Sequence, residues 1–273
     1  MLDCVWTGKY GNHFIDLQKK INPNTVKVHS PVSLNTCKYN LKLKALPLYS
    51  DYGIMLYRKD LLEKYNKTVP NTWSELESTA TYIMKMEETL GNKELEGFAG
   101  QFKSYEGLTC NIYEWIYSFR DKYDSTLDYF NDHSSLTALK KLISFFSKSI
   151  ISHEALIYDE PTSLDKWKKG NVLFLRNWPN SVRSTEESFK NSEINFSFGV
   201  TKLPGRIPDL SASTLGGWNV GVSKYSKNTL LSSKFIELMS GEKVQKKLII
   251  DLGLLPTIKT LYYDKEVCNV IMC

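Results

Sequence analysis

Ser163-Leu164-Asp165-Lys166-Trp167-Lys168-Lys169-Gly170-Asn171-Val172-Leu173-Phe174-Leu175-Arg176-Asn177-Trp178-Pro179 reads as a short helix handed to a buried strand. The helix covers Ser163 to Lys169. The apolar run from Asn171 to Arg176, bounded by Gly170 and Pro179, has the length and composition of a strand covered on both faces. Further along, Phe196 to Thr201 alternates and predicts a second strand, and Asn219 to Val222 a third. Two helices follow, Leu230–Met239 and Glu242–Leu252, separated by Ser240-Gly241. Towards the N-terminus the spacing predicts helices over Leu136–Ser149, Thr109–Phe119 and Lys59–Tyr65. Thr72-Trp73-Ser74-Glu75 is a capping box, with Leu76, Ala80, Ile83 and Met84 at helical spacing behind it. That helix should run from Trp73 to Leu90 and end at Gly91. Helices alternating with strands predict an α/β architecture with largely parallel sheets.

The chain has 273 residues, enough for one large domain or two smaller lobes. Hydrophobic residues are 42% and charged residues 24%, which excludes a disordered chain. The net charge of +5 is spread over scattered lysine pairs such as Lys140-Lys141, so it forms no nucleic-acid stripe. No apolar run approaches the ~18–20 residues of a membrane span, and the N-terminus has no signal-peptide pattern. Cys4, Cys37, Cys110, Cys268 and Cys273 form no C-x-x-C pair, and the four histidines are isolated, so no metal site is expected. Asn66-Lys67-Thr68 and Asn195-Phe196-Ser197 fit the glycosylation pattern, which is short enough to arise by chance.

Nucleophile elbow, P-loop and dinucleotide fingerprint are all absent. Aromatics are abundant instead, at 12% of residues, and several sit beside carboxylates and amides in expected loops. These are Tyr49-Ser50-Asp51-Tyr52-Gly53, Tyr105-Glu106-Gly107, Arg176-Asn177-Trp178-Pro179 and Gly216-Gly217-Trp218-Asn219. One face of a pyranose is mostly C–H and stacks on a ring, while its hydroxyl rim needs oriented donors and acceptors. Each feature also has a plainer reading. Trp6, Trp73 and Trp167 are expected in the core or at caps. Trp178 and Trp218 flank strands, where core positions are common. Asp51 and Glu106 suit solvated loop or cap positions. Composition and spacing stop at an α/β protein with a sugar-type pocket.

Seven segments in order resemble the extracellular solute-binding proteins of ABC transporters, in their trehalose/maltose branch. They are Asp3-Cys4-Val5-Trp6-Thr7-Gly8, Leu46 to Leu62, Val69 to Leu76, Tyr105 to Asn111, Phe174 to Pro179, Leu215 to Val220 and Gly253-Leu254-Leu255-Pro256-Thr257. The resemblance implies the type 2 periplasmic-binding-protein fold: two α/β lobes, a hinge and a sugar cleft that closes on its ligand. Residues 1–50 and 204–252 are expected in the first lobe, and 51–203 and 253–273 in the second. By the same resemblance Asp3 and Asp51 accept from sugar hydroxyls and Tyr49 and Trp178 stack on sugar rings. Gly217 and Trp218 line the cleft, and Glu106 lies near it. Against the family pattern the chain starts after a first strand–helix–strand unit and stops short at the C-terminus.

The implied function is non-catalytic binding of a maltose- or trehalose-like oligosaccharide, without a cofactor. The implied partner is an ABC permease, and the implied location is extracytoplasmic. Two other readings are a sugar-sensing module of a membrane receptor, and a non-functional fragment of either protein. A glycosidase using Asp51 and Glu106 would need its carboxylates ~5–5.5 or ~6.5–9.5 Å apart, a distance no sequence supplies.

Overall fold

The computed structural model describes residues 1–120, 132–190 and 192–271, so Cys273 lies outside the described residues. The chain divides into two compact units. Unit 1 is Met1–Tyr52 with Leu215–Cys273, and unit 2 is Gly53–Thr214. Nine strands occur among the described residues: β1 Leu2–Asp3, β2 Lys38–Tyr39, β3 Lys42–Leu43, β4 Leu46–Tyr52, β5 Ile54–Arg58, β6 Glu96–Ala99, β7 Val172–Asn177, β8 Phe198–Thr201 and β9 Leu215–Val220. None of the described helices is long and apolar enough to cross a membrane.

Unit 2 is built on a four-stranded sheet in the order β6-β7-β5-β8. Every residue of β7 is buried, because apolar layers cover both faces of the sheet. One layer centres on Trp73, which stacks on Trp115 at 3.6 Å between ring centroids, with Phe98 and Phe145 set edge-on. The other gathers Leu56, Ala99, Trp167, Val172 and Leu175. The capping box is present at the head of the helix Trp73–Thr89. Trp73 and Trp167 are fully buried, and each indole N–H donates to a hydroxyl, Ser118 and Thr185 respectively.

Unit 1 holds the sheet β1-β9-β4 and the short hairpin β2-β3. Its core joins Leu43, Leu46 and Leu48 to Val220, Val222 and Ile236. A satellite cluster of Ile249, Ile258, Leu261 and Val267 ties the C-terminal segment to the helix Glu242–Leu252.

Three expectations are corrected. The sheets are largely antiparallel: only β6 and β7 pair in parallel. Alternating helices and strands predict parallel sheets when successive strands are sheet neighbours joined by a crossover. Here only β6 and β7 meet that condition, while β5 and β9 each pair with strands from distant parts of the chain. Residues 253–273, expected in the second lobe, fold with unit 1, where Ser50 pairs with Leu255 and His29 with Ile258. Residues 204–214, expected in the first lobe, fold with unit 2. There Gly205 bonds Trp73, Arg206 bonds Ser118, and Ser213 donates to the Gly53 carbonyl at 2.6 Å. Trp6, expected in the core or at a cap, stands at the N-cap position of the helix Thr7–Tyr10, half exposed and with its ring edge-on to Tyr10.

Candidate functional site

The sequence predicts loops around Tyr49, Asp51 and Trp218; the structure places all three inside strands. β9 is the central strand of its sheet, and its Trp218 faces Asp3 on β1 and Tyr49 on β4. Directly opposed residues share one face of a sheet, so carboxylate, indole and phenol form one row. Pleating decides which residues join it. Ser50 and Asn219 point to the interior, where Ser50 meets the Ser33 hydroxyl and Asn219 donates to Thr36. Asp3, Tyr49, Asp51 and Trp218 alternate with them and are partly exposed.

A bulge sets this register. Pro47 opposes Asn219, yet Tyr49 opposes Trp218, so Leu48 is the extra residue and is buried. Without the bulge Leu48 would stand beside Trp218. Gly217 completes the geometry. Its φ is +121°, and a Cβ there would lie 2.5 Å from the Tyr49 carbonyl oxygen. Only glycine accepts that backbone conformation and that approach.

Burial pushes the Tyr49 phenol above its ordinary range, and the charges of Asp51 and Asp3 push it further. The phenol therefore stays protonated and available as a donor. Asp3 spends one oxygen on the Val5 amide at 3.0 Å.

Unit 2 contributes a different construction. Trp178 follows the last residue of β7, and its amide is held by the Asn177 side chain at 2.8 Å. The Arg176 guanidinium lies 4.1 Å from the indole centroid, and the indole N–H donates to Glu160 at 3.1 Å. The Tyr105 hydroxyl donates to the other Glu160 oxygen at 2.6 Å. Arg176 is itself anchored: two of its nitrogens donate to Glu114 at 2.6 and 2.8 Å, and a third to Gln101 at 2.9 Å. Burial opposes the guanidinium charge, but Glu114 more than offsets it, so Arg176 remains charged. The ring of Trp178 is thus pinned by a cation at its face and by a carboxylate at its N–H.

Glu106 stands apart from this cluster. It is exposed at the start of the helix Glu106–Tyr117 and accepts from the Cys110 thiol at 3.0 Å. Its neighbour Tyr105 is the residue linked to Trp178, through Glu160. The sequence reading singled out the segments holding Tyr105 and Arg176 but assigned those residues no role. Glu160 lies before the helix start expected at Ser163; the helix runs Glu160–Lys168, capped by Asp159. Among the described residues no group of three or more His, Cys, Asp or Glu side chains is arranged to hold a metal ion.

A family model described as bacterial extracellular solute-binding protein matches residues 6–269. A probable ABC transporter-binding protein of Deinococcus radiodurans is 34% identical over 278 aligned residues. The match takes in 99% of this chain, which spans 64% of that relative's length. A maltose-bound protein of T. maritima superposes with a TM-score of 0.89 at 27% identity, over 99% of this chain and 68% of its own. The GacH receptor of Streptomyces glaucescens, solved unliganded and with acarbose, gives 0.80 at 21% identity over 99% and 68%, a likeness of fold.

Proposed function

The chain belongs to the bacterial extracellular solute-binding proteins, and from that premise we propose that it binds an oligosaccharide of the maltose or trehalose kind. The observation that carries the proposal is the Asp3–Trp218–Tyr49 row, held in register by the Leu48 bulge and by Gly217. An indole flanked by a carboxylate and a phenol offers a C–H face its stack and the hydroxyls an acceptor and a donor. Asp51 adds a second acceptor on the same strand. On unit 2, Trp178 presents a stacking ring of its own, with Arg176 and Glu160 fixing its plane.

Glu106 lies one residue from Tyr105 and serves at the margin of the unit 2 contacts. The protein performs no bond cleavage. Its partner is the permease of an ABC transporter, and it works outside the cytoplasm, in keeping with the maltose-bound and transporter-binding relatives.

A thermal-shift panel of maltose, trehalose, maltotriose and monosaccharides tests the reading. A sugar at ~100 times its dissociation constant stabilises by about 2.7 kcal/mol. No shift with any of them refutes the proposal. Prolonged incubation should leave maltose and trehalose intact, and cleavage would overturn the binding-only role.

A further inference from the structure

The chain enters unit 2 at Gly53 and leaves it at Thr214. These crossover residues stand at opposite ends of the unit's sequence, yet one side chain meets both. Glu114, 2% exposed in the helix Glu106–Tyr117, accepts from the Thr214 amide at 3.0 Å through Oε1. The same oxygen accepts from the Arg176 guanidinium. One turn earlier in the helix, the Cys110 carbonyl accepts from the Thr214 hydroxyl at 3.0 Å.

Gly53 packs onto the same carboxylate. A Cβ there would fall on Glu114 Oε1 and lie 2.9 Å from an Arg176 nitrogen. The φ of Gly53 is not positive, so close approach, and not backbone conformation, is what requires glycine. A carboxylate at the end of a flexible side chain ordinarily swings aside. Glu114 does so only at a cost, because it is buried and held by three donors. Ser213 ties the two crossovers together through its bond to the Gly53 carbonyl.

From Glu114 the contacts run on to Trp178, whose ring lies over the Arg176 guanidinium. Ile54 opposes Asn177, so Gly53 and Trp178 are the next residues along adjoining strands. Crossover backbone, carboxylate, guanidinium and indole thus form one continuous chain of contacts. Linked polar groups in a buried setting strengthen one another, so a displacement at one end is felt at the other.

We propose that Glu114 is a positioning residue that ties the Trp178 ring to both crossovers, with Gly53 keeping open the space it occupies. The plane of the indole and the backbone at Gly53 and Thr214 then change together. Two-lobed binding proteins close by rotation at such crossovers. A sugar stacked on Trp178, a step that rests on the function proposed above, acts on the crossovers through Arg176 and Glu114 without touching them.

The test replaces the tryptophans of the full chain with 5-fluorotryptophan and follows Trp178 by fluorine NMR, its resonance identified by its loss in Trp178→Phe. Gly53→Ala displaces Glu114 and should shift the Trp178 resonance, while that of Trp167, packed with Leu56 and Val172, stays in place. If Gly53→Ala does not fold, Ser213→Ala decides: it changes an exposed residue, releases the Gly53 carbonyl and should shift the same resonance. Calorimetry with the best sugar of the panel adds a double-mutant cycle. Gly53→Ala should weaken binding at least about tenfold in the wild type and less than about twofold in Trp178→Ala. A Trp178 resonance that does not move, or that moves together with Trp167, overturns the proposal, as do equal losses of affinity in the two backgrounds. A wild type that binds no sugar refutes the sugar reading alone, and the resonances still decide the role of Glu114.

Discussion

Lowering the pH from 7 to 5 should destabilise this protein through one residue, His29. The side chain is 2% exposed in unit 1. Nε2 lies 3.0 Å from the Ser240 hydroxyl, and Nδ1 lies 2.7 Å from the Thr257 hydroxyl. Ser240 donates its proton to the Pro47 carbonyl at 2.6 Å. Nε2–H must therefore be the donor to Ser240, which leaves Nδ1 as the acceptor from Thr257. This neutral tautomer is the form the network is built for.

Burial lowers the imidazole from 6.5 to about 4. Below pH 6.5 the unfolded chain takes up a proton that the folded chain refuses, so stability falls as pH drops towards 4. The gap corresponds to at most about 3 kcal/mol below pH 4, and about 2 kcal/mol is already lost at pH 5. The effect bears on the candidate site, because Pro47 begins the strand segment that carries the bulge, Tyr49 and Asp51. Urea titrations of the wild type and His29→Gln at pH 7 and pH 5 measure it. Glutamine keeps a donor and an acceptor but does not titrate. The wild type should lose about 2 kcal/mol more than the variant across the interval. Equal losses would refute the assignment of a buried neutral imidazole.

Trp178→Ala should weaken sugar binding more than tenfold with little loss of fold, since the ring packs on Arg176 at a partly exposed position; calorimetry with the best sugar of the panel checks it. Gly217→Ala forces a Cβ against the Tyr49 carbonyl at positive φ and should cost about 1–3 kcal/mol or more, with a lower melting temperature and weaker sugar affinity. Glu114→Gln strips Arg176 of its carboxylate in a site where both side chains are almost fully buried. The expected cost is about 3–5 kcal/mol, and a urea midpoint unchanged from wild type would show that the pair is dispensable.

Local pattern in the sequence carried much of the fold. The box Thr72–Glu75 predicted a helix from Trp73 to Leu90, formed as Trp73–Thr89, because a cap is satisfied within four residues. The run Asn171–Arg176, whose strand is Val172–Asn177, read as buried because a strand covered on both faces has no polar alternation to show. The helix Asn180–Phe189 was not anticipated, since it follows Pro179 directly and has no side-chain cap bond. The loop reading of Tyr49 and Asp51 failed for a related reason: Ser50 is polar yet buried, paired to Ser33, so the usual contrast between apolar inside and polar outside is blurred.

By itself the sequence determined the α/β class, most helices and the family resemblance. It also marked aromatic–carboxylate segments, of which the structure places three at the two sheets and Tyr105-Glu106-Gly107 at a helix start. Only the tertiary structure decided strand direction, the row of Asp3, Trp218 and Tyr49, and the clamp of Arg176 and Glu160 on Trp178. The physical reason is separation along the chain. Asp3 and Trp218 meet by strand pairing across more than two hundred residues, and register depends on a one-residue bulge. Arg176 and Glu114 are joined across a separation of 62 residues, where burial, rather than any local spacing, makes the pairing obligatory.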